Sequence, residues 1–158
     1  MKHTISVLVE NKPGVLARIA GLFSARGFNI DSLAVGETND PTMSRMTIVV
    51  DAKDEMILDQ IKKQLNKLID TISVVDFTKR EIVERELILI KLELDPKDKK
   101  HLEVLAEKFR AHIVFSKENS AIVEISAERQ KIDEFLKELE KFKIKELVRT
   151  GRIAMDKH

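Results

Sequence analysis

One order of secondary-structure signals occurs twice along this chain, and that repetition limits the possible folds more than any other feature. Each copy opens with a strand-like run, continues into apolar positions at helical spacing, gives two further strand-like runs, and ends with a second helical stripe and a last strand. The second copy follows the first after roughly 80 residues. Because the two halves share little sequence identity, the repeat predicts a shared architecture rather than a shared set of side chains.

The same βαββαβ order is predicted in both copies. In the first copy the predicted strands are residues 4–9, 28–35, 46–50 and 72–77, and the predicted helices are residues 15–26 and 57–68. In the second copy the predicted strands are residues 87–94, 113–115, 121–125 and 144–155, and the helices are residues 102–109 and 132–142. This order predicts an α+β fold of two ferredoxin-like domains, each a four-stranded antiparallel sheet with two helices on one face. The charged segment TKREIVERE lies between the copies, which predicts domain ranges of 1–79 and 80–158.

Small two-layer domains of this kind leave the edges of their sheets open. An open edge strand presents unpaired backbone groups to another chain, and a small domain buries little surface by itself. The edge near residues 28–35 is therefore a candidate pairing surface, and the chain is expected to form a dimer or a higher oligomer.

Composition excludes several classes of function. Apolar residues make up 43% and charged residues 35% of the 158 residues, which is typical of a globular protein. The formal net charge is only +1, so no basic surface suited to nucleic acid is expected. The chain has no cysteine and no apolar run near the roughly 18 residues that cross a membrane. A cytoplasmic location is expected, without a membrane or nucleic-acid partner.

The sequence offers few groups for catalysis or metal binding. Its four histidines are scattered and form no HxxxH or HExxH spacing. The glycines match neither a dinucleotide-binding GxGxxG motif nor a phosphate-binding loop. No catalytic residue, metal ligand or cofactor site is predicted in this chain.

The turn between the first predicted strand and helix is the strongest candidate for a binding site. Pro13 followed by Gly14 suits the central positions of a type II turn, in which the second residue has a positive φ. The first backbone N–H groups of the following helix would then be unpaired donors at the positive end of its dipole, where a carboxylate can bind. Asn11 and Asn29 could add amide groups, and neighbouring aliphatic residues could contact an apolar side chain. These features together are typical of an amino-acid site.

From spacing alone, a plain structural turn with asparagines that cap local backbone is at least as good an interpretation. The candidate effector-binding residues are Asn11, Gly14, Val15, Leu16, Asn29 and Ile30.

These residues lie in a stretch that resembles the ACT domain of the small regulatory subunit of acetolactate synthase, also named acetohydroxyacid synthase. The segments FSARGFNIDSL and DPTMSRMTI distinguish this family from ACT domains at large. The second half is similar to the C-terminal domain of the same subunit in the segments VERELILIKL, FRAHIVFS, KIDEFL and RTGRIAM. The resemblance covers nearly the whole chain.

The resemblance implies a non-catalytic subunit that activates the large catalytic subunit and confers feedback inhibition by a branched-chain amino acid, usually valine. It places thiamine diphosphate, magnesium and FAD in the large subunit. The effector pattern of the family corresponds here to Asn11, Gly14 and Asn29, and the effector lies between the ACT domains of two subunits.

The segment DPTMSR, residues 40–45, carries a pattern specific to this family, but its residues suggest no particular chemistry. The resemblance and the tendency of loops to carry recognition suggest that it contacts the catalytic subunit, and a simple turn held by Asp-Pro is an equal alternative. The candidate contact residues are Asp40, Pro41, Ser44 and Arg45. Two rival functions remain open: a free-standing ACT-type amino-acid sensor that regulates another enzyme or transcription, and an enzyme with a site between the domains.

Overall fold

The computed structural model describes residues 1–158, which form two compact units. The first unit contains Met1–Val83 together with Arg152–His158, and the second contains Glu84–Gly151. This division differs from the predicted ranges 1–79 and 80–158, because residues 80–83 and the last seven residues belong with the first unit.

The first unit has the predicted βαββαβ order. Its elements are β1 (Lys2–Glu10), α1 (Val15–Ala25), β2 (Ile30–Glu37), β3 (Met43–Asp51), α2 (Glu55–Asn66) and β4 (Thr71–Asp76). The strands form a four-stranded antiparallel sheet in the order β2-β3-β1-β4. The prediction that the segment near residues 28–35 forms a sheet edge is confirmed, since β2 lies at the end of this order.

The core of the first unit follows from the alternation of β1. Ile5, Val7 and Val9 are fully buried and pack with Ile19 and Phe23 of α1. Burying such side chains stabilises the unit by about 1.5 to 3 kcal/mol each. The core therefore fixes α1 on one face of the sheet and sets where its two ends lie.

The two ends of α1 are set by local chemistry. At its C-terminal end Gly27 has φ +69, and the N–H groups of Gly27 and Phe28 donate to the carbonyls of Ser24 and Phe23. This is a Schellman motif, in which glycine takes the left-handed conformation at no steric cost. The chain then enters β2, so Asn29 lies at the end of the sheet where α1 finishes.

The second unit repeats the order of the first. Its elements are β5 (Ile82–Glu93), α3 (Lys99–Phe109), β6 (His112–Lys117), β7 (Ser120–Ala127), α4 (Arg129–Leu139) and β8 (Lys143–Arg149), with a short 3₁₀ turn at Pro96–Asp98. The strands follow the order β6-β7-β5-β8, and β9 (Ile153–Asp156) also pairs with β5. The core alternates along β5, where Ile88, Ile90 and Leu92 are buried. Two ferredoxin-like domains are thus confirmed.

Two strand boundaries differ from the prediction. β5 begins at Ile82 rather than at residue 87. Its first five residues include three consecutive charged side chains, Glu84 to Glu86, so the sequence pattern assigned them to the segment between the two copies. The last predicted strand, residues 144–155, is divided into β8 and β9 by the segment around Gly151. No helix of the chain combines the length and apolar character that a membrane span requires.

Candidate functional site

The turn before α1 has the geometry predicted from its sequence. Gly14 has φ +85 and ψ −11, and the N–H of Val15 lies 3.4 Å from the carbonyl oxygen of Lys12. These values match the third position and the closing bond of a type II turn, with Pro13 at the second position. A residue with a side chain would be strained at Gly14.

The start of α1 carries no side-chain cap. Gly14 is the N-cap residue, and the first turn of the helix contains no acidic residue. The N–H groups of the first turn have no carbonyl partner within the helix and carry the positive end of its dipole. Because Leu16 and Ala17 are exposed, an anion from solvent could reach this helix start.

Arg18 adds a positive charge that no sequence pattern predicted. Its Nε and Nη2 atoms lie 2.8 and 2.7 Å from Oδ2 of Asp70, whose side chain is only 10% exposed. A Cβ atom built on Gly14 would lie 2.9 Å from Nη1 of Arg18, so the guanidinium covers this glycine. The only available signal was that Arg18 lies four residues after Gly14 and therefore on nearly the same side of the helix.

Asn11 ties the end of β1 to the connection between β2 and β3. Its Nδ2 donates to the carbonyl oxygen of Pro41 at 2.9 Å and to Oε1 of Glu37 at 3.2 Å. Its backbone N–H donates to the carbonyl oxygen of Thr42 at 2.8 Å. Both amide hydrogens are therefore engaged, which leaves the amide oxygen to accept from an ammonium group.

Asn29 lies at the opposite end of the sheet from Asn11. Its neighbour Ile30 is paired with Val50, and Val50 is paired with His3 near the start of β1, whereas Asn11 follows the end of β1. β1 has nine residues, so at about 3.3 Å per residue its ends are roughly 25 Å apart. Within one protomer, Asn29 and Asn11 cannot contact the same small molecule.

The three aliphatic residues predicted to line the site lie in different surroundings. Val15 is 3% exposed and belongs to the core, so its side chain packs inside the unit and does not form a wall of an effector site as predicted. Leu16 is 43% exposed on the outside of α1. Ile30 is partly buried and packs against the core from the start of β2. Leu16 and Ile30 remain candidates, at different ends of the helix.

The connection between β2 and β3 is a compact turn. Oδ1 of Asp40 accepts from the N–H and the hydroxyl of Thr42, at 2.9 and 2.6 Å, and these hydrogen bonds lower the pKa of Asp40. Ser44 is buried. Arg45 is exposed, and its Nη1 donates to Oγ of Ser6 at 3.0 Å.

Two further features concern metal ligands and the grooves of the surface. No group of three or more histidine, cysteine or acidic side chains is arranged to hold a metal ion. A groove of about 890 Å³ lies between α3 and α4 of the second unit. Lysine and glutamate side chains dominate its lining, unlike the apolar walls typical of small-molecule sites.

Comparisons with known proteins agree over both units. The family described as "AHAS small subunit-like ACT domain" matches residues 5–73, and the family "Small subunit of acetolactate synthase" matches residues 85–158. A probable acetolactate synthase small subunit of Archaeoglobus fulgidus is 51% identical over 155 residues, covering 98% of this chain and 96% of the relative. The acetolactate synthase small subunit of Mycobacterium bovis is 47% identical, covering 98% and 92%.

Among solved structures, the crystal structure of the acetolactate synthase small subunit of Thermotoga maritima superimposes with a TM-score of 0.90. It is 40% identical in sequence, and the match covers 100% of this chain and 98% of that one. Both halves therefore have the sequence and the fold of one known kind of subunit, and this chain belongs to the acetolactate synthase small-subunit family.

Proposed function

We propose that this chain is a non-catalytic regulatory subunit that binds the large catalytic subunit of acetolactate synthase, activates it and confers feedback inhibition by a branched-chain amino acid. Valine is the first candidate effector. Thiamine diphosphate, magnesium and FAD would be bound by the large subunit. A small-subunit relative with 96% of its length matched supports the partnership, and the helix start at Gly14 supports the amino-acid site.

The observation that carries the effector site is the uncapped start of α1 at a glycine with positive φ. The α-carboxylate would accept from the free N–H groups of the first turn, next to the guanidinium of Arg18. The amide oxygen of Asn11 would accept from the α-ammonium. The exposed side chain of Leu16 would contact the aliphatic group of the effector.

The separation of Asn29 from Asn11 favours a site that two copies of the chain build together. β2 is an open edge strand, and antiparallel pairing of two copies of β2 about a twofold axis would align the Ile30 end of one with the Glu37 end of the other. Asn11 contacts Glu37. Asn29 of the partner subunit would therefore approach Asn11, and the dimer would contain two equivalent sites.

Inhibition at a distance requires that the effector bind one arrangement of the complex more tightly than another. Changing the ratio of active to inactive complexes from 9:1 to 1:9 takes about 2.6 kcal/mol of differential binding. Two equivalent sites would each have to supply about 1.3 kcal/mol, which is close to the net contribution of one hydrogen bond.

Reconstitution with a large subunit tests the proposal. We expect the purified chain to raise acetolactate synthase activity and valine to reverse that increase. Gly14→Asp adds a negative charge where the carboxylate would bind, and it should abolish effector binding while activation persists. Gly14→Ala is the matched control, because it places a side chain at the same positive φ and strains the backbone in the same way without the charge, and it should retain measurable binding.

Each result has a distinct meaning. Activation without any response to valine, leucine or isoleucine would remove the feedback function and keep the partnership. Binding of an amino acid without activation would favour a free-standing ACT-type sensor. Undiminished binding to the Gly14→Asp variant would refute the placement of the site.

A further inference from the structure

The last residues of the chain return to the first unit. We name Arg152–His158 the C-terminal strap. The family match for the C-terminal half includes these residues, and β9 pairs with β5, yet the strap also contacts residues of the first unit outside β5. Nη1 of Arg80 lies 2.6 Å from Oδ2 of Asp156, and the N–H of Lys157 donates to the carbonyl oxygen of Glu81 at 3.0 Å.

Arg152 joins two strands of the first sheet. Its backbone N–H donates to Oγ of Ser32 in β2 at 2.9 Å, and its Nη1 donates to Oγ1 of Thr4 in β1 at 3.2 Å. Thr4 and Ser32 are both paired with Val49 of β3, one from each side. Arg152 therefore bridges across β3, on the face of the sheet opposite to that of the buried Ile5 and Val7.

The position of Ser32 gives this bridge a specific consequence. The pairing of β2 with β3 is irregular between Ile30 and Ser32, so Ser32 is the first regularly paired residue of that stretch. Asn29 and Ile30 lie before the irregularity, where pairing holds the backbone less firmly. The hydrogen bond from Arg152 supports the strand at the boundary between its irregular start and its regular part.

We propose that Arg152 is a positioning residue for the start of β2, and that the strap thereby sets where Asn29 is presented to an amino-acid effector. The part that concerns the effector rests on the proposed function, and the part that concerns the backbone of β2 does not. The strap thus positions a strand of the first unit, although it follows the second unit in sequence.

Four variants, two truncated and two substituted, are compared with the intact chain by isothermal titration with valine. A chain that ends at Gly151 lacks the strap, and we expect at least a tenfold loss of affinity. A chain that ends at Asp156 keeps Arg152 and its contacts and should bind as the intact chain does. Ser32→Ala removes one acceptor and should weaken binding roughly two- to tenfold, while Ser32→Thr keeps the hydroxyl and should restore it.

A double-mutant cycle separates positioning from general stability. If Arg152 and Ser32 act through Asn29, Ser32→Ala should cost no further affinity in an Asn29→Ala background. Additive losses, or full affinity in the chain that ends at Gly151, would overturn the proposal.

Amide hydrogen exchange supplies a readout that needs no effector. Removal of the strap should accelerate exchange at residues 30–33 relative to β4, which serves as the internal reference. Unchanged exchange there would reject the strap as a support of β2, even if no amino acid binds the intact chain. Absence of binding with faster exchange would instead reject the proposed effector site and keep the structural role.

Discussion

Two glycines of the same helix should respond in opposite directions to the same substitution. Gly14, at the start of α1, has φ +85, and a Cβ atom there would lie 2.9 Å from Nη1 of Arg18. Gly21 lies in the exposed interior of α1, and a Cβ atom there would meet nothing within 4 Å. We therefore expect Gly14→Ala to destabilise the first unit and Gly21→Ala to stabilise it.

The magnitudes follow from backbone conformation and contact. A residue with a side chain in the left-handed region costs about 1 to 2 kcal/mol. The close contact also forces the guanidinium of Arg18 to move, which weakens an ion pair worth roughly 0.2 to 1 kcal/mol at a partly exposed site. Gly14→Ala should then lower the free energy of unfolding by about 1 to 3 kcal/mol, whereas Gly21→Ala should raise it by about 0.5 to 1 kcal/mol through helix propensity.

Urea denaturation followed by far-UV circular dichroism measures both changes, because the chain has no Trp or Tyr for fluorescence. The two units can unfold in separate transitions, so the transition of the first unit is the one that should shift. In an Arg18→Ala background, Gly14→Ala should lower the free energy of unfolding only by the cost of the left-handed backbone, about 1 to 2 kcal/mol. A Gly14→Ala variant as stable as the parent protein, or shifts of the same sign at both glycines, would show that the turn does not hold the conformation described.

Three further outcomes are expected. Sedimentation should show a dimer or larger species at micromolar concentration, and a monomer with and without valine would count against a shared site. Arg45→Ala should reduce activation of the large subunit if the β2–β3 connection contacts it, and unchanged association and activation would withdraw that assignment. The pKa of Asp156 lies below its usual value because Arg80 and the backbone N–H of His158 donate to it; its contribution to stability is therefore present above pH about 4 and lost as the pH falls through the lowered pKa. The difference in stability between the parent and Asp156→Asn should accordingly disappear in acid, and a difference that persists at pH 2 would contradict this account.

Local patterns predicted much of the fold because they act over short sequence distances. The change from alternating to helical periodicity located all four α-helices, and Pro13-Gly14 predicted a positive φ that the structure contains. Val15 lies on the apolar stripe of α1, and its side chain is buried in the core. The helical spacing of Val15 therefore indicated a core position rather than a wall of the site.

Contacts between distant segments could not be predicted in this way. The pairing of Arg18 with Asp70 and that of Arg152 with Ser32 each join residues far apart in the chain. Neither pair has a local signature, because an exposed arginine in a helix or near a terminus is ordinarily a solvated side chain. The strap was therefore predicted as the end of one long strand in the second domain.

The distance between the two asparagines within one protomer has a genetic consequence. In the proposed twofold dimer, each site takes its helix start from one chain and Asn29 from the other. A mixed dimer of one Gly14→Asp copy and one Asn29→Ala copy would then hold one site with both defects and one site with neither. Two variants that each respond poorly to the effector should complement one another, and random exchange of subunits should restore about a quarter of all sites.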